Sequence, residues 1–241
     1  CRTAGEIRDC LAKGVMAAIF HIEGAEAIDE NFKTLDVLYE SGLRSLGPVW
    51  SRSNIFGHGV PFRFPSTGDT GDGLTAVGKN LIRFCNDRRL LIDLSHLNEK
   101  GFWDAATLSK APLVATHSNA HAICASSRNL SDDQLKAVRD SGGMVGLNFA
   151  SGFLREDGRW STDTPLEIMV RHLDHMLKVA GENCVTLGSD FDGARIPEGI
   201  KDAAGLPNLI ETLRERQYGE KLIAKIASEN WLNVLERTWG Q

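Results

Sequence analysis

Short apolar runs alternate with amphipathic stretches along most of the chain. The runs have the length and composition of buried strands, whereas the stretches between them repeat apolar side chains at helical spacing. This alternation predicts an α/β fold with a parallel sheet. The predicted strands lie within residues 15–24, 43–50, 90–96, 112–118, 142–149 and 185–193. The predicted helices cover residues 1–13, 31–41, 75–89, 98–110, 131–141, 164–180, 206–216 and 220–239.

Three of the helix starts carry residue types that favour capping. Asn98 precedes a stretch of helical length, and Ser131 stands three residues before Gln134, which is the spacing of a capping box. Thr164 precedes Pro165, and proline suits the first position of a helix. These signals predict the beginnings of three helices.

Two predicted strands end in a histidine. His96 closes the run at 90–96, and His117 lies near the end of the run at 112–118, with one predicted helix between them. Parallel strands deliver their carboxyl ends to one edge of a sheet, so the two imidazoles are expected to be neighbours and could share a metal ion. Each histidine could instead be satisfied by a nearby carbonyl group, but the repetition favours metal ligands.

Two acidic residues also follow predicted strands. Glu23 closes the first strand and is a third candidate metal ligand, although it could simply cap the next helix. Asp190 follows the last strand, and the small residues Thr186 and Gly188 on the same side leave room beneath it. Asp190 is the candidate for proton transfer. The alternative, an aspartate that forms a turn, suits Asp192 better.

A long connection follows the second predicted strand. Residues 51–73 are rich in Gly, Pro, Ser and Asp, and the segment exceeds the length that a simple connection needs. We expect it to form a lid over the strand ends.

Composition and charge exclude several classes of protein. The chain has 241 residues, 42% hydrophobic content and a net charge of −5, with no basic patch for nucleic acid and no polybasic membrane segment. It has neither an apolar run of spanning length nor the pattern of a signal peptide, so it is expected to be soluble, in a compartment that the sequence leaves undetermined. The five dispersed cysteines predict free, mostly buried thiols.

The spread of candidate side chains over several strand ends favours a β/α (TIM-type) barrel in one domain over residues 1–241. Active sites of such barrels lie at the face that the carboxyl ends of the strands form. Because about six strands are predicted and eight close a barrel, an open doubly wound sheet is the alternative. No glycine-rich nucleotide loop follows any of the predicted strands, which weighs against it.

Five short motifs resemble, in order and approximate spacing, those of the membrane (renal) dipeptidase family of metallopeptidases. The resemblance spans nearly the whole chain. The motifs are His21-Ile22-Glu23-Gly24, Asp93-Leu94-Ser95-His96, Thr116-His117-Ser118-Asn119-Ala120, Ser127-Arg128-Asn129-Leu130 and Gly188-Ser189-Asp190-Phe191-Asp192-Gly193.

This resemblance implies a β/α barrel of the metal-dependent hydrolase type that uses two zinc ions and a metal-bound hydroxide to hydrolyse dipeptides. By the family pattern, Glu23 would bridge the two ions, while His96 and His117 would bind one of them. Arg128 would hold the substrate carboxylate, and Asp190 would manage the proton. The alternative for Arg128 is a surface arginine paired with a neighbouring aspartate, Asp132 or Asp133.

The sequence departs from the family pattern at two places. No His-x-Asp pair precedes Glu23, so the second zinc site is expected to be incomplete and the barrel to lack its first two strands. Trp50 stands where the family usually has a histidine that contacts the substrate, and His58 is a weak candidate to replace it. The open edges of such a sheet could pair with another chain, for example in a homodimer.

Three functions are therefore considered, in order of preference. The first is a zinc-dependent dipeptidase. The second is a non-catalytic barrel remnant that binds a ligand or partner, and the third is a one-metal hydrolase of another amide, lactam or ester.

Overall fold

The computed structural model describes residues 1–240 and divides into two compact units. The first unit comprises residues 1–61, 69–114 and 231–240, and the second comprises residues 62–68 and 115–230. The chain thus enters the second unit briefly at residues 62–68, within the long connection after the second strand. It enters that unit again at residue 115 and returns to the first unit at residue 231.

The first unit contains a parallel sheet of three strands, β1 (Phe20–Glu23), β2 (Leu43–Gly47) and β3 (Leu91–Ile92), in the order β1-β2-β3. Glu23 pairs with Gly47 at the carboxyl ends of β1 and β2. Beyond β3, Asp93 forms an isolated parallel bridge with Val114. Parallel pairing places the residues that follow these strands at one edge of the sheet.

Four helices of the first unit alternate with these strands along the chain. Thr75 and Asn98 each accept a backbone hydrogen bond at a helix start, from Gly78 and Gly101. The Asn98 cap was predicted from the sequence. These helices are α1 (Ala4–Ala12), α2 (Lys33–Glu40), α3 (Ala76–Arg88) and α4 (Glu99–Leu108).

The second unit contains another three-stranded sheet in the order β4-β5-β6, and the boundary between the units falls within β4. These strands are β4 (Val114–Ala115), β5 (Met144–Leu147) and β6 (Val185–Leu187). The α-helices that follow along the chain are α5 (Asp132–Asp140), α6 (Ser151–Leu154), α7 (Leu166–Ala180), α8 (Leu206–Glu215), α9 (Glu220–Ala224) and α10 (Asn230–Trp239). The last of them, α10, belongs to the first unit from residue 231 onward. A 3₁₀ turn, Ala203–Gly205, precedes α8, and a π-helical segment, Lys225–Glu229, joins α9 to α10.

Two capping predictions in the second unit have different outcomes. The capping box of Ser131 and Gln134 is confirmed, with both of its hydrogen bonds present at the start of α5. The cap at Thr164 is wrong, because Pro165 is the capping residue of α7 and the Thr164 hydroxyl donates to the Ser161 carbonyl oxygen at 2.6 Å. The helix therefore begins one residue later than that cap predicts.

The α/β class is confirmed, and the strands are shorter than predicted. Within residues 1–240 the six strands form two parallel three-stranded sheets, so the β/α barrel, its missing strands and its single domain stay predictions. No described helix combines the length and apolar character needed to cross a membrane. The described cysteines are free, and Cys85, Cys124 and Cys184 are buried, as predicted.

Candidate metal centre

Glu23 and His96 meet in the first unit, where β1 and the segment after β3 end at the same sheet edge. Oε1 of Glu23 lies 2.9 Å from Nε2 of His96. The glutamate side chain is 40% exposed, whereas the imidazole is 6% exposed. A buried imidazole nitrogen therefore points at a carboxylate that remains open to solvent.

The other ring nitrogen of His96 is also engaged. Oγ of Ser51 lies 2.7 Å from Nδ1 of His96. The indole of Trp50 stacks on the imidazole, with 5.7 Å between ring centroids and an interplanar angle of 28°. Trp50, at the position where the family pattern has a histidine, thus contacts a candidate ligand. Nδ1 of His58, the weak candidate to replace that histidine, lies 3.0 Å from Oγ of Ser53.

The connection after β2 is fastened to the His96 segment. The backbone N–H of Val60 donates to the His96 carbonyl oxygen at 2.9 Å, and Gly59 forms an antiparallel bridge with Leu97. Gly59 packs so closely on the Trp50 carbonyl oxygen that any Cβ would collide with it. Gly59 and Val60 of the predicted lid therefore pack against the His96 segment, and this packing keeps Ser51 beside the imidazole.

His117 lies in the second unit, two residues after β4, and is 8% exposed. Oγ1 of Thr116 lies 2.6 Å from its Nδ1. Gly146 and Gly188, on and just after the neighbouring strands, both pack against the Thr116 carbonyl oxygen, and neither could carry a Cβ there. The small residue expected beneath Asp190 thus makes room for the backbone that precedes His117.

Asp190 follows β6 in a left-handed conformation, with φ of 58°. Its Oδ2 accepts a hydrogen bond from Nδ2 of Asn148 at 2.9 Å. Asn148 follows β5 directly and is 1% exposed. Non-glycine residues adopt this backbone conformation rarely, and aspartate is among those that tolerate it.

Arg128 is buried, at 2% exposure. Its Nη2 donates to the His117 carbonyl oxygen at 3.3 Å, and its guanidinium carbon lies 5.3 Å from the centre of the Phe153 ring. These contacts hold the planar guanidinium in one orientation beside the His117 segment.

The surface alternative for Arg128 is therefore wrong. Asp132 lies 2.6 Å from Nε2 of His175, and Asp133 pairs with Lys136 at 2.8 Å. Both aspartates have partners on helices, whereas Arg128 is enclosed by protein.

Another buried histidine supports the loop after His117. His172 on α7 accepts the Ala120 N–H through Nδ1 at 3.2 Å, and its Nε2 lies 2.9 Å from the Leu154 carbonyl oxygen. Burial lowers the pKa of His172 to about 4, so this imidazole is neutral at pH 7. No role was predicted for His172, because it lies within an ordinary amphipathic helix.

One glutamate and two histidines, Glu23, His96 and His117, make up a group that could hold a metal ion. The sequence matches the membrane dipeptidase family, peptidase family M19, over residues 1–239. The chain belongs to this family. The resemblance stated from the five motifs is therefore confirmed, and the chain is a hydrolase of the metallo-dipeptidase type.

Individual known proteins are also similar to this chain in sequence and in structure. A protein of Klebsiella pneumoniae, described as an uncharacterized protein in the pqqA 5′ region, is 50% identical over 241 residues, which make up 100% of this chain and 89% of that protein. A metallopeptidase from Rhodobacter sphaeroides, solved with a phosphinate mimic of the dipeptide L-Ala-D-Ala, is 58% identical with a TM-score of 0.98. The match covers 99% of this chain and 68% of that one.

A second solved structure of the membrane dipeptidase family is also similar. Dipeptidase AC, a metallopeptidase of family M19, is 57% identical with a TM-score of 0.99, and the match covers 100% of this chain and 69% of that one. The α/β fold and the family thus have independent support from sequence and structure.

Three residues around the candidate centre were not predicted from the sequence. Asn148 is a polar residue at the end of an apolar run, the same signal that identified His96 and Asp190. Ser51 and Thr116 carry no comparable signal, because a hydroxyl beside a histidine is recognised only once the loop geometry is known.

Proposed function

We propose that this chain is a zinc-dependent dipeptidase in which Glu23, His96 and His117 bind zinc. Arg128 binds the carboxylate of the substrate, and Asp190 transfers a proton. The contact between Glu23 and His96 is the observation that carries the proposal. A carboxylate oxygen and an imidazole nitrogen 2.9 Å apart are ligand types that zinc commonly takes together.

The surroundings of both histidines fit metal binding. In the tautomer that donates its Nδ1–H to the Ser51 hydroxyl, His96 presents a lone pair on Nε2. Zinc-binding histidines usually have their second nitrogen engaged in this way. Thr116 offers the same support to Nδ1 of His117, at 2.6 Å.

Chain connectivity supports His117 as the third ligand. Asp93 pairs in parallel with Val114, and the Leu94 N–H donates to the Val114 carbonyl oxygen at 2.8 Å. His96 and His117 each follow their member of the Asp93–Val114 pair by three residues. Both histidines therefore leave adjacent strands in the same direction.

Each protein group then has a defined task in dipeptide hydrolysis. A bound zinc ion would polarise the scissile carbonyl and lower the pKa of a water molecule. Arg128 would take the free carboxylate through two parallel hydrogen bonds, which favours substrates that end one residue after the scissile bond. Asp190 would accept a proton from the attacking water and deliver it to the leaving amine.

The test is a zinc titration together with assays on L-Ala-D-Ala, a tripeptide, an ester and a lactam. We expect hydrolysis of the dipeptide alone, and we expect Glu23→Gln to lower zinc affinity by more than about tenfold. Glu26→Gln is the matched control, since Glu26 lies nearby but pairs with Arg52 at 3.1 Å.

Three other results would overturn the proposal or one of its assignments. Zinc binding without hydrolysis of any substrate would favour a ligand-binding barrel remnant. Preferred hydrolysis of the ester or the lactam would favour the hydrolase of another substrate class. Unchanged zinc affinity in Glu23→Gln would remove Glu23 from the ligand set.

A further inference from the structure

We infer that Asn148 is the positioning residue of Asp190, the group that fixes this carboxylate for proton transfer. The inference rests on the role that the proposed function gives to Asp190. It concerns a contact within the second unit that links the ends of β5 and β6.

The amide of Asn148 is placed to act on one carboxylate oxygen. Its Nδ2 donates to Oδ2 of Asp190 at 2.9 Å, while its Oδ1 accepts the N–H of Ala150 at 2.6 Å. The second hydrogen bond fixes which end of the amide faces Asp190, because only the NH₂ group can donate. Asn148 is 1% exposed, so water does not replace this contact.

The backbone of Asn148 is itself held by Asn119. Oδ1 of Asn119 accepts the Asn148 N–H at 2.9 Å, and Nδ2 of Asn119 donates to the Asn148 carbonyl oxygen at 3.0 Å. Asn119 stands two residues after His117. A continuous set of hydrogen bonds therefore runs from the His117 loop through Asn119 and Asn148 to Asp190.

Asp190 needs such a partner more than an ordinary aspartate does. Its φ of 58° is a sparsely populated conformation for a residue with a side chain. The side chain is only partly buried, so without a fixed donor it could rotate towards solvent. A donor on one oxygen selects a single rotamer and leaves the other oxygen for the proton. Small displacements of a reacting group can cost about 100-fold in rate.

The variant Asn148→Asp separates positioning from folding. An aspartate keeps an acceptor for the Ala150 N–H, but as a carboxylate it cannot donate to Asp190 and repels it instead. We expect kcat for L-Ala-D-Ala to fall roughly 10- to 100-fold, with KM and zinc content nearly unchanged. Should this variant fail to fold, Asn148→Ser replaces it, since the serine hydroxyl can cap Ala150 but is too short to reach Asp190.

Asn230→Asp is the matched control. Asn230 is equally buried, and its Nδ2 donates to the Val185 carbonyl oxygen at 2.7 Å, at the opposite end of β6 from Asp190. The same chemical change there should lower thermal stability while kcat of the folded enzyme stays at the wild-type value. Equal kcat losses in the two variants would show that Asn148 is merely structural.

A double-mutant cycle with Asp190→Ala completes the test. If Asn148 acts through Asp190, adding Asn148→Asp to Asp190→Ala causes no further loss of kcat. Additive losses, or a wild-type kcat in Asn148→Asp, would overturn the inference while the proposed function stands. A wild-type kcat in Asp190→Ala would instead overturn the proposed role of Asp190, and the inference with it.

Discussion

Oγ of Ser51 lies 2.7 Å from Nδ1 of His96, so a residue of the connection after β2 orients an imidazole that follows β3. Replacing Ser51 with Ala removes this orienting group and leaves the ligand nitrogen in place. We expect zinc affinity to fall about 10- to 100-fold, measured by competition with a chelator.

Ser53→Ala is the control for this variant. Ser53 makes the same type of contact, with Oγ 3.0 Å from Nδ1 of His58, but on a half-buried histidine outside the candidate ligand set. Its zinc affinity should equal that of the wild type. Equal losses in the two variants would mean that the loop, and not the hydrogen bond to His96, determines metal binding.

Arg128→Met should raise KM for dipeptides about tenfold or more, because hydrogen bonds to charged groups contribute about 1.5–3 kcal/mol. Zinc content should not change, since no ligand is removed. The measurement is steady-state kinetics on free dipeptides and on the same dipeptides with an amidated carboxyl terminus, which carry no charge to lose.

The exposed Arg171 on α7 provides the comparison, because it pairs with Glu156 on the surface. Arg171→Met should leave both KM values unchanged. Parallel KM increases on free and amidated substrates in Arg128→Met would assign Arg128 to the structure of the loop.

Stability should depend on pH through His172. Its pKa is about 4 in the folded protein and about 6.5 when unfolded, so between these values the unfolded chain binds the extra proton. Stability is therefore present above pH 6.5 and is lost as the pH falls towards 4, by at most about 1.4 kcal/mol per pH unit. Urea unfolding at several pH values measures this slope.

His172→Gln should reduce the acid slope. A glutamine can donate to the Leu154 carbonyl oxygen and accept from Ala120 without titrating. Parallel pH curves for the variant and the wild type would show that other groups cause the loss of stability in acid.

Gly188→Ala should displace the backbone before His117. Its Cβ would collide with the Thr116 carbonyl oxygen, so either the strand end or the His117 loop must move. We expect lower thermal stability and weaker zinc retention during dialysis. Gly5→Ala in α1, where a Cβ would lie 3.8 Å from Oγ1 of Thr3, should keep the zinc and be neutral or slightly more stable. Full zinc retention in Gly188→Ala would show that the loop tolerates the shift.

The sequence predicted the candidate functional residues at the strand ends better than it predicted the residues that hold their side chains in place. Glu23, His96 and Asp190 follow apolar runs, and this pattern is local enough to be recognised in one sequence. Asn148 obeys the same rule, but an asparagine at the end of a run is also an ordinary strand terminus. Only its contact with Asp190, made between segments far apart in the chain, distinguishes it.

Boundaries and long connections were less predictable, for physical reasons. Thr164 and Pro165 both suit a helix start, and which one caps α7 is decided by a hydrogen bond from Thr164 to Ser161. The course of residues 51–73 depends on the close packing of Gly59 against Trp50, which no local pattern encodes. The burial of Arg128 likewise results from its packing on Phe153.

The stacking of Trp50 on His96 gives the candidate centre an optical signal of its own. Indole fluorescence responds to the charge and electron-withdrawing character of a ring stacked against it. Metal binding at the imidazole should therefore alter the fluorescence intensity of Trp50. Metal uptake could therefore be followed by fluorescence in the unlabelled protein, with Trp50→Phe identifying the emission of this tryptophan among the five in the chain. The residue that departs from the family pattern would serve as a built-in reporter of metal occupancy.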